Sequence, residues 1–185
     1  SAQEKSAKET KGDRCFFVYS FDKAIAAYTE EKNLTVDGQR RLAKSYQNLN
    51  QNVQAEQAYK KLVSQGTGVI PEDHFNHAMV LKAQGKYPEA KVCMDKFATS
   101  KPHDLRAICH AANGDKLAGL AVNNGKYKVE HLNVNTNAED YGACYYKDKV
   151  VFASSRVGAN VTAKTYNWTG KPYGDMYVAQ VDEGQ

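Results

Sequence analysis

The chain has 185 residues, 42% hydrophobic and 25% charged, enough for one ordinary globular domain or two small ones with a buried core. The net charge of +4 is mild, and its excess lies in the first 112 residues; with no basic block interleaved with aromatics, nucleic-acid binding is disfavoured. No stretch approaches the roughly 18 apolar residues of a membrane span, so direct membrane insertion is not expected, and residues 1–12 are too polar for a secretory signal, which leaves a cytosolic protein or one whose signal has been removed.

Helical patterning runs from the N-terminus to about Ala112 and predicts three hairpins, at about 3–31, 37–64 and 72–98, followed by a helix at about 103–112 that covers the end of the stack. In the first hairpin Phe21, Ala24 and Tyr28 align with Tyr87, Ala90 and Met94 of the third, and Gly12 and Cys15 align with Ala78 and Leu81. In the second, Leu42, Ala43 and Tyr46 lie on a first helix and Ala55 and Tyr59 on its partner, offset by 35 residues from the third hairpin. Asp37 is expected to cap the second hairpin. Pro71, Glu72 and Asp73 suit the first turn of the third, where proline loses no hydrogen bond and carboxylates meet the positive helix end. Ser64 to Gly68 is a break, and the turns at Asn48-Leu49-Asn50 and Gln84-Gly85-Lys86 are short enough to force antiparallel neighbours.

Gly85, Tyr87, Ala90 and Pro102 fall where a tetratricopeptide repeat places its turn glycine, the aromatic opening its second helix, its small packing residue and its closing proline. The resemblance implies hairpins stacked into a right-handed superhelix, because one hairpin cannot bury its apolar face alone, with the first helices lining a concave groove. Ala43, Ala55 and Ala90 would sit where helices approach closely. The groove positions become Asp37, Arg40, Lys44, Gln47 and Asn48 in one hairpin and Glu72, Phe75, Met79, Lys82 and Ala83 in the next. Arg40, Lys44 and Lys82 read either as a solvated charged face or as a basic stripe for a peptide. Phe75 and Met79 tilt the balance toward a protein or peptide partner bearing carboxylates. Lys44 stands where chaperone-binding repeats carry a clamp asparagine, so that function does not transfer.

Of the four cysteines, Cys15 and Cys93 read as small buried apolar residues; Cys93 with Cys109, on consecutive helices, is the one pair that could bridge, but spacing alone does not show their side chains facing each other and no bridge is the favoured reading. His74 and His77 have a spacing that could hold a metal, yet His77 occupies the usual leucine position and no third ligand is evident, so both read as structural. No cofactor site and no set of nucleophile, base and orienting group can be assembled, and the chain reads as non-enzymatic.

After Asn113-Gly114 the pattern changes to alternating stretches at Tyr127–Leu132, Tyr141–Tyr146, Lys149–Ala153 and Tyr173–Val181, separated by Asn-rich turns, by Lys147-Asp148 and by a polar loop from Ser154 to Pro172. These predict an antiparallel sheet, so the fold class is α+β: a helical repeat domain at 1–112 and a linker with a small sheet at 113–185. Asp140, Asp148 and Asp175 fall at strand edges and read as turn caps rather than calcium ligands. Such a small sheet needs cover for an apolar face containing Val151 and Phe152, from the capping helix or from a second copy of the chain.

Asn135-Thr136, Glu139-Asp140-Tyr141-Gly142, Val150 to Arg156, Tyr166-Asn167-Trp168-Thr169-Gly170 and Tyr173 to Tyr177, in that order after the helical repeats, resemble the first blade of a β-propeller. The combination is similar to Bacteroidetes OmpA-family proteins with tetratricopeptide, β-propeller and OmpA-like domains, among them PorE-like lipoproteins of the type IX secretion system. The resemblance implies a periplasmic, outer-membrane-associated scaffold that links a secretion or envelope complex to peptidoglycan. Peptidoglycan would be bound only through the OmpA-like domain, which these residues lack, and the family's lipid-bearing N-terminal cysteine has no counterpart, since Cys15 lies inside a predicted helix. The alternative is a self-contained adaptor that binds a peptide or protein terminus.

Overall fold

Among the described residues, seven helices followed by a three-stranded antiparallel sheet make this an α+β protein. The computed structural model describes residues 4–113, 128–157 and 164–180, together with Gly119, Val122 and Gly125. The chain divides into two compact units, residues 1–124 and residues 125–185.

The helices of the first unit are α1 (Ala7–Phe17), α2 (Phe21–Thr29), α3 (Val36–Asn48), α4 (Asn52–Ser64), α5 (Pro71–Ala83), α6 (Tyr87–Ser100) and α7 (Leu105–Asn113). Each packs on the next, and α3 additionally touches both α1 and α5, so the first helices of the three pairs form a row. Asn50 and Gly85, at φ +55° and +72°, close the two short turns after α3 and α5 in the left-handed region that asparagine and glycine tolerate best.

Small residues set the spacing. Ala43, Ala55 and Ala90 are fully buried within two apolar clusters, one built around Tyr59 and Leu62, the other around Leu81, Met94 and Phe97. In the first pair Gly12 stands against Tyr28, and a Cβ there would lie 2.5 Å from the ring.

The start of α3 departs from expectation. Its cap is Thr35, whose Oγ1 accepts from the Gly38 N–H at 3.1 Å, while Asp37 lies inside the first turn and pairs with Arg40. Thr35 is in turn bound by the buried Glu9 of α1, whose carboxylate accepts from the Thr35 N–H at 3.0 Å and from its hydroxyl. Asp13, one turn further along α1, accepts from the Tyr28 hydroxyl at 2.7 Å, from Lys5 at 2.7 Å and from Arg41 at 2.9 Å. Two acidic residues of α1 therefore hold the first helix pair to the second.

In the second unit β1 (Asp140–Tyr146), β2 (Lys149–Ser154) and β3 (Asp175–Gln180) pair antiparallel in chain order. Tyr145 faces Val150 and Val150 faces Ala179, with an irregularity between Tyr141 and Cys144. The strand expected over 127–132 is absent from its described part, 128–132. Alternation there has no partner to pair with: Val129 is 94% exposed, and Leu132 closes a turn with Asn135 instead. The last strand begins at Asp175 rather than Tyr173, whose N–H bonds the Lys164 carbonyl beside an isolated bridge between Thr165 and Pro172; Val181 lies outside the described residues.

Val151 and Phe152 do not share a face, because neighbours along a strand point to opposite sides. Phe152 is buried and stacks on Tyr177 with ring centroids 6.0 Å apart. The Arg156 guanidinium covers both rings at 5.1 and 4.8 Å. It is fixed there by Asp140 at 2.8 Å, the Ser154 hydroxyl at 2.8 Å and the Val134 carbonyl at 2.9 Å. Hydrogen bonding to Ser154 and Arg156 holds the Asp140 carboxyl well below its usual range. Val151 belongs to the other face, with Val178 and Met176 exposed on the same side.

Candidate docking groove

α5 carries Phe75, Met79 and Lys82 at helical spacing, and α3 presents Lys44, Gln47 and Asn48 beside them. Two clefts meet at Met79. The polar one, about 350 Å³, is walled by Lys44, Gln47, Asn48, Asn52 and Met79. The apolar one, about 300 Å³, is walled by Phe75, Met79, Lys82, Met94, Cys109 and His110.

Arg40 borders neither cleft. Its Nε and Nη2 donate to the Asp73 carboxylate at 2.7 and 2.9 Å, and Nη2 also reaches the Gly68 carbonyl at 2.8 Å. Asp73 is fully buried and accepts from the Ile70 N–H at 3.0 Å, completing the start of α5. The hydrogen bond to Asp73 raises the Arg40 pKa further. Arg40 is a tie between α3 and α5, not a free cation for a partner.

Lys44 and Lys82 differ from it. Lys44 donates to Gln47 at 3.1 Å and approaches Asn76 at 3.4 Å, and burial lowers its pKa. Gln47 also accepts from the Tyr59 hydroxyl at 2.9 Å, so it supports the hairpin as well as the cleft. Burial likewise lowers the pKa of Lys82. Neither lysine forms an ion pair among the described residues.

Phe75 is half-buried, tilted against Phe97 with centroids 5.3 Å apart. Arg106 of α7 lies over both rings at 4.4 and 4.7 Å, held by Asp104 at 2.7 Å and by Glu72 at 3.6 Å. α7 therefore does more than cover the stack: Arg106, Cys109, His110 and Asn113, spaced three and four apart, wall the apolar cleft. That spacing was visible in the sequence, but nothing there marked the face as a wall rather than a packed side. His110 donates or accepts at Asp95 through Nε2 at 2.7 Å, and its buried Nδ1 has no hydrogen-bond partner among the described residues.

Behind the groove His77 packs nearly parallel to Tyr59, and its Nδ1 lies 3.5 Å from the Cys93 sulfur. Burial lowers the His77 pKa and raises that of Cys93, so both are neutral near pH 7. The Cys93–Cys109 bridge that the spacing left open is not formed, and all four cysteines are free: Cys93 turns to His77, whereas Cys109 is exposed on α7. Among the described residues no helix is long and apolar enough to cross a membrane, and no group of three or more His, Cys, Asp or Glu is placed to hold a metal ion.

No protein-family model and no curated protein matches the chain.

Proposed function

We propose that the helical unit is a tetratricopeptide-type docking scaffold and that the chain acts by binding another protein rather than by catalysis. The observation that carries this reading is the pair of clefts meeting at Met79, lined largely from α3, α5 and α7. The first helices of successive pairs thus build one continuous recognition surface, as repeat scaffolds do. The serines at the end of β2 support a non-enzymatic role: Ser154 accepts from Arg156 and Ser155 from the Glu139 N–H, both for structural ends.

The wider proposal takes the sheet as the first blade of a β-propeller. The protein is then a periplasmic, outer-membrane-associated member of the OmpA family, PorE-like, joining a secretion or envelope complex to peptidoglycan through a domain outside these residues. Its support is the order of the blade motifs after the helical repeats. A self-contained adaptor is the second reading, favoured by both clefts lying wholly within the helical unit.

Photo-crosslinking from Met79, compared with the exposed Lys61 on α4, tests the docking role. Specific adducts from Met79 alone support it, and equal yields from both positions reject it. An OmpA-like domain encoded downstream in the same reading frame favours the family reading, and a stop without one favours the adaptor.

A further inference from the structure

Lys44 and Lys82 stand on either side of Met79 and form no ion pair among the described residues. The arginines around them are already neutralised: Arg40 by Asp73, Arg41 by Asp13 and Arg106 by Asp104. Half-burying a cation without a counter-charge costs solvation that a ligand carboxylate would restore. Another wall of the apolar cleft is His110, whose side chain is 7% exposed and whose Nε2 is engaged by Asp95 at 2.7 Å. Between these polar groups the cleft is apolar, formed by Phe75, Met79, Met94 and Cys109.

We infer that the cleft between α5, α6 and α7 receives one large apolar side chain of an acidic peptide, whose adjacent carboxylate pairs with Lys82. A second carboxylate further along the same segment reaches Lys44. The inference rests on the docking reading and names the ligand chemistry for it. A polyanion such as RNA is a poorer match, because it would need the arginine charges that Asp13, Asp73 and Asp104 have already taken.

The three methionines supply the test. Met79 and Met94 line the cleft, and Met176 on β3 is an internal control. The 185-residue chain, labelled with ¹³C at the methionine methyls, is titrated with a capped synthetic peptide of glutamates around a single phenylalanine. Saturable shifts of Met79 and Met94 with Met176 unmoved are expected, and a peptide with glutamines for glutamates, or alanine for phenylalanine, binds at least about tenfold more weakly. Lys82→Gln lowers affinity for the acidic peptide but not for its glutamine analogue. Equal binding of the charged and uncharged peptides, or no shift at millimolar concentration, overturns the inference. If the peptide fails while Phe75→Ala and Lys82→Gln still abolish Met79 crosslinking in cells, the ligand chemistry is wrong and the docking role stands. If crosslinking is also unchanged, both fall.

Discussion

Arg40 of α3 grips the fully buried Asp73 of α5 through two hydrogen bonds, of 2.7 and 2.9 Å, across 33 residues of sequence. The pair joins two consecutive first helices at the point where α5 begins. Arg40→Ala leaves a buried carboxylate without its partner and should cost about 3–5 kcal/mol. The double variant Arg40→Ala, Asp73→Ala should cost clearly less than the sum of the two single changes. Additive denaturation free energies would show that the two side chains act independently.

Close packing gives a second prediction. Gly12→Ala drives a methyl into the Tyr28 ring, whose hydroxyl is anchored by Asp13, and Ala90→Leu overfills the fully buried seam between α5 and α6. Each should lower stability by about 1–3 kcal/mol. An unchanged melting temperature for either would mean that the local helix register is wrong.

Acid should weaken the helical unit first in the histidine range, through His77 and the half-buried His74, and then in the carboxylate range, where Asp13 contributes. Burial lowers the His77 pKa below its ordinary 6.5, so the folded state disfavours the proton that the unfolded chain accepts. Its contribution is whole above pH 6.5 and is lost as pH falls toward the folded pKa. Burial opposes ionisation of Asp13, but hydrogen bonds from Lys5, Tyr28 and Arg41 outweigh it and leave the carboxyl below its ordinary 3.8. That contribution is present above pH 3.8 and is lost as pH drops through the folded value. His77→Leu should flatten the fall in melting temperature that begins below about pH 6.5, and Asp13→Asn should flatten it only below about pH 4. A slope near pH 6 that survives in His77→Leu would assign it to another group.

Arg156 should decide whether the sheet holds. The stack of its guanidinium on Phe152 and Tyr177 is worth about 0.5–2 kcal/mol. Lysine cannot reproduce the planar contact, so Arg156→Lys should fail to rescue what Arg156→Ala loses. Amide exchange in β1, β2 and β3 should accelerate in both variants; protection equal to wild type in Arg156→Lys would reduce the role to charge alone.

Kinetics with a bound partner should separate the two kinds of groove residue. Phe75→Ala should mainly speed dissociation, whereas Lys44→Glu and Lys82→Glu should slow association and weaken its dependence on salt. Arg40→Glu belongs to neither class, because Asp73 already holds the guanidinium, and its effect should be loss of folding.

The helices were legible because the 35-residue offset repeats small and aromatic residues at fixed places, and this reports packing directly. What was hidden depends on partners far along the chain. Glu9 and Asp13 look solvent-facing on α1 until Thr35 and Arg41, 26 and 28 residues on, fold against them. Arg40 lies on the expected helix face but is claimed by Asp73, and no local pattern shows that reach. Phe75, Met79 and Lys82 do line one cleft, while the wall supplied by Arg106 and His110 depended on where α7 comes to rest. In the sheet, alternation marked β1 and β2 within a residue or two yet also suggested a strand at 127–132, since periodicity does not reveal whether a neighbour exists to pair with.

Met79 is the common wall of both clefts, and its unbranched thioether adopts several rotamers at little cost. A side chain seated on one flank selects a rotamer and so reshapes the space on the other, which makes the two clefts a thermodynamically linked pair. Linkage requires the effect to be mutual: occupancy of the polar cleft must alter affinity at the apolar one by the same factor as the reverse. Replacing Met79 with rigid, β-branched isoleucine should bring that factor toward one, and calorimetric titrations of one ligand with and without the other would measure it.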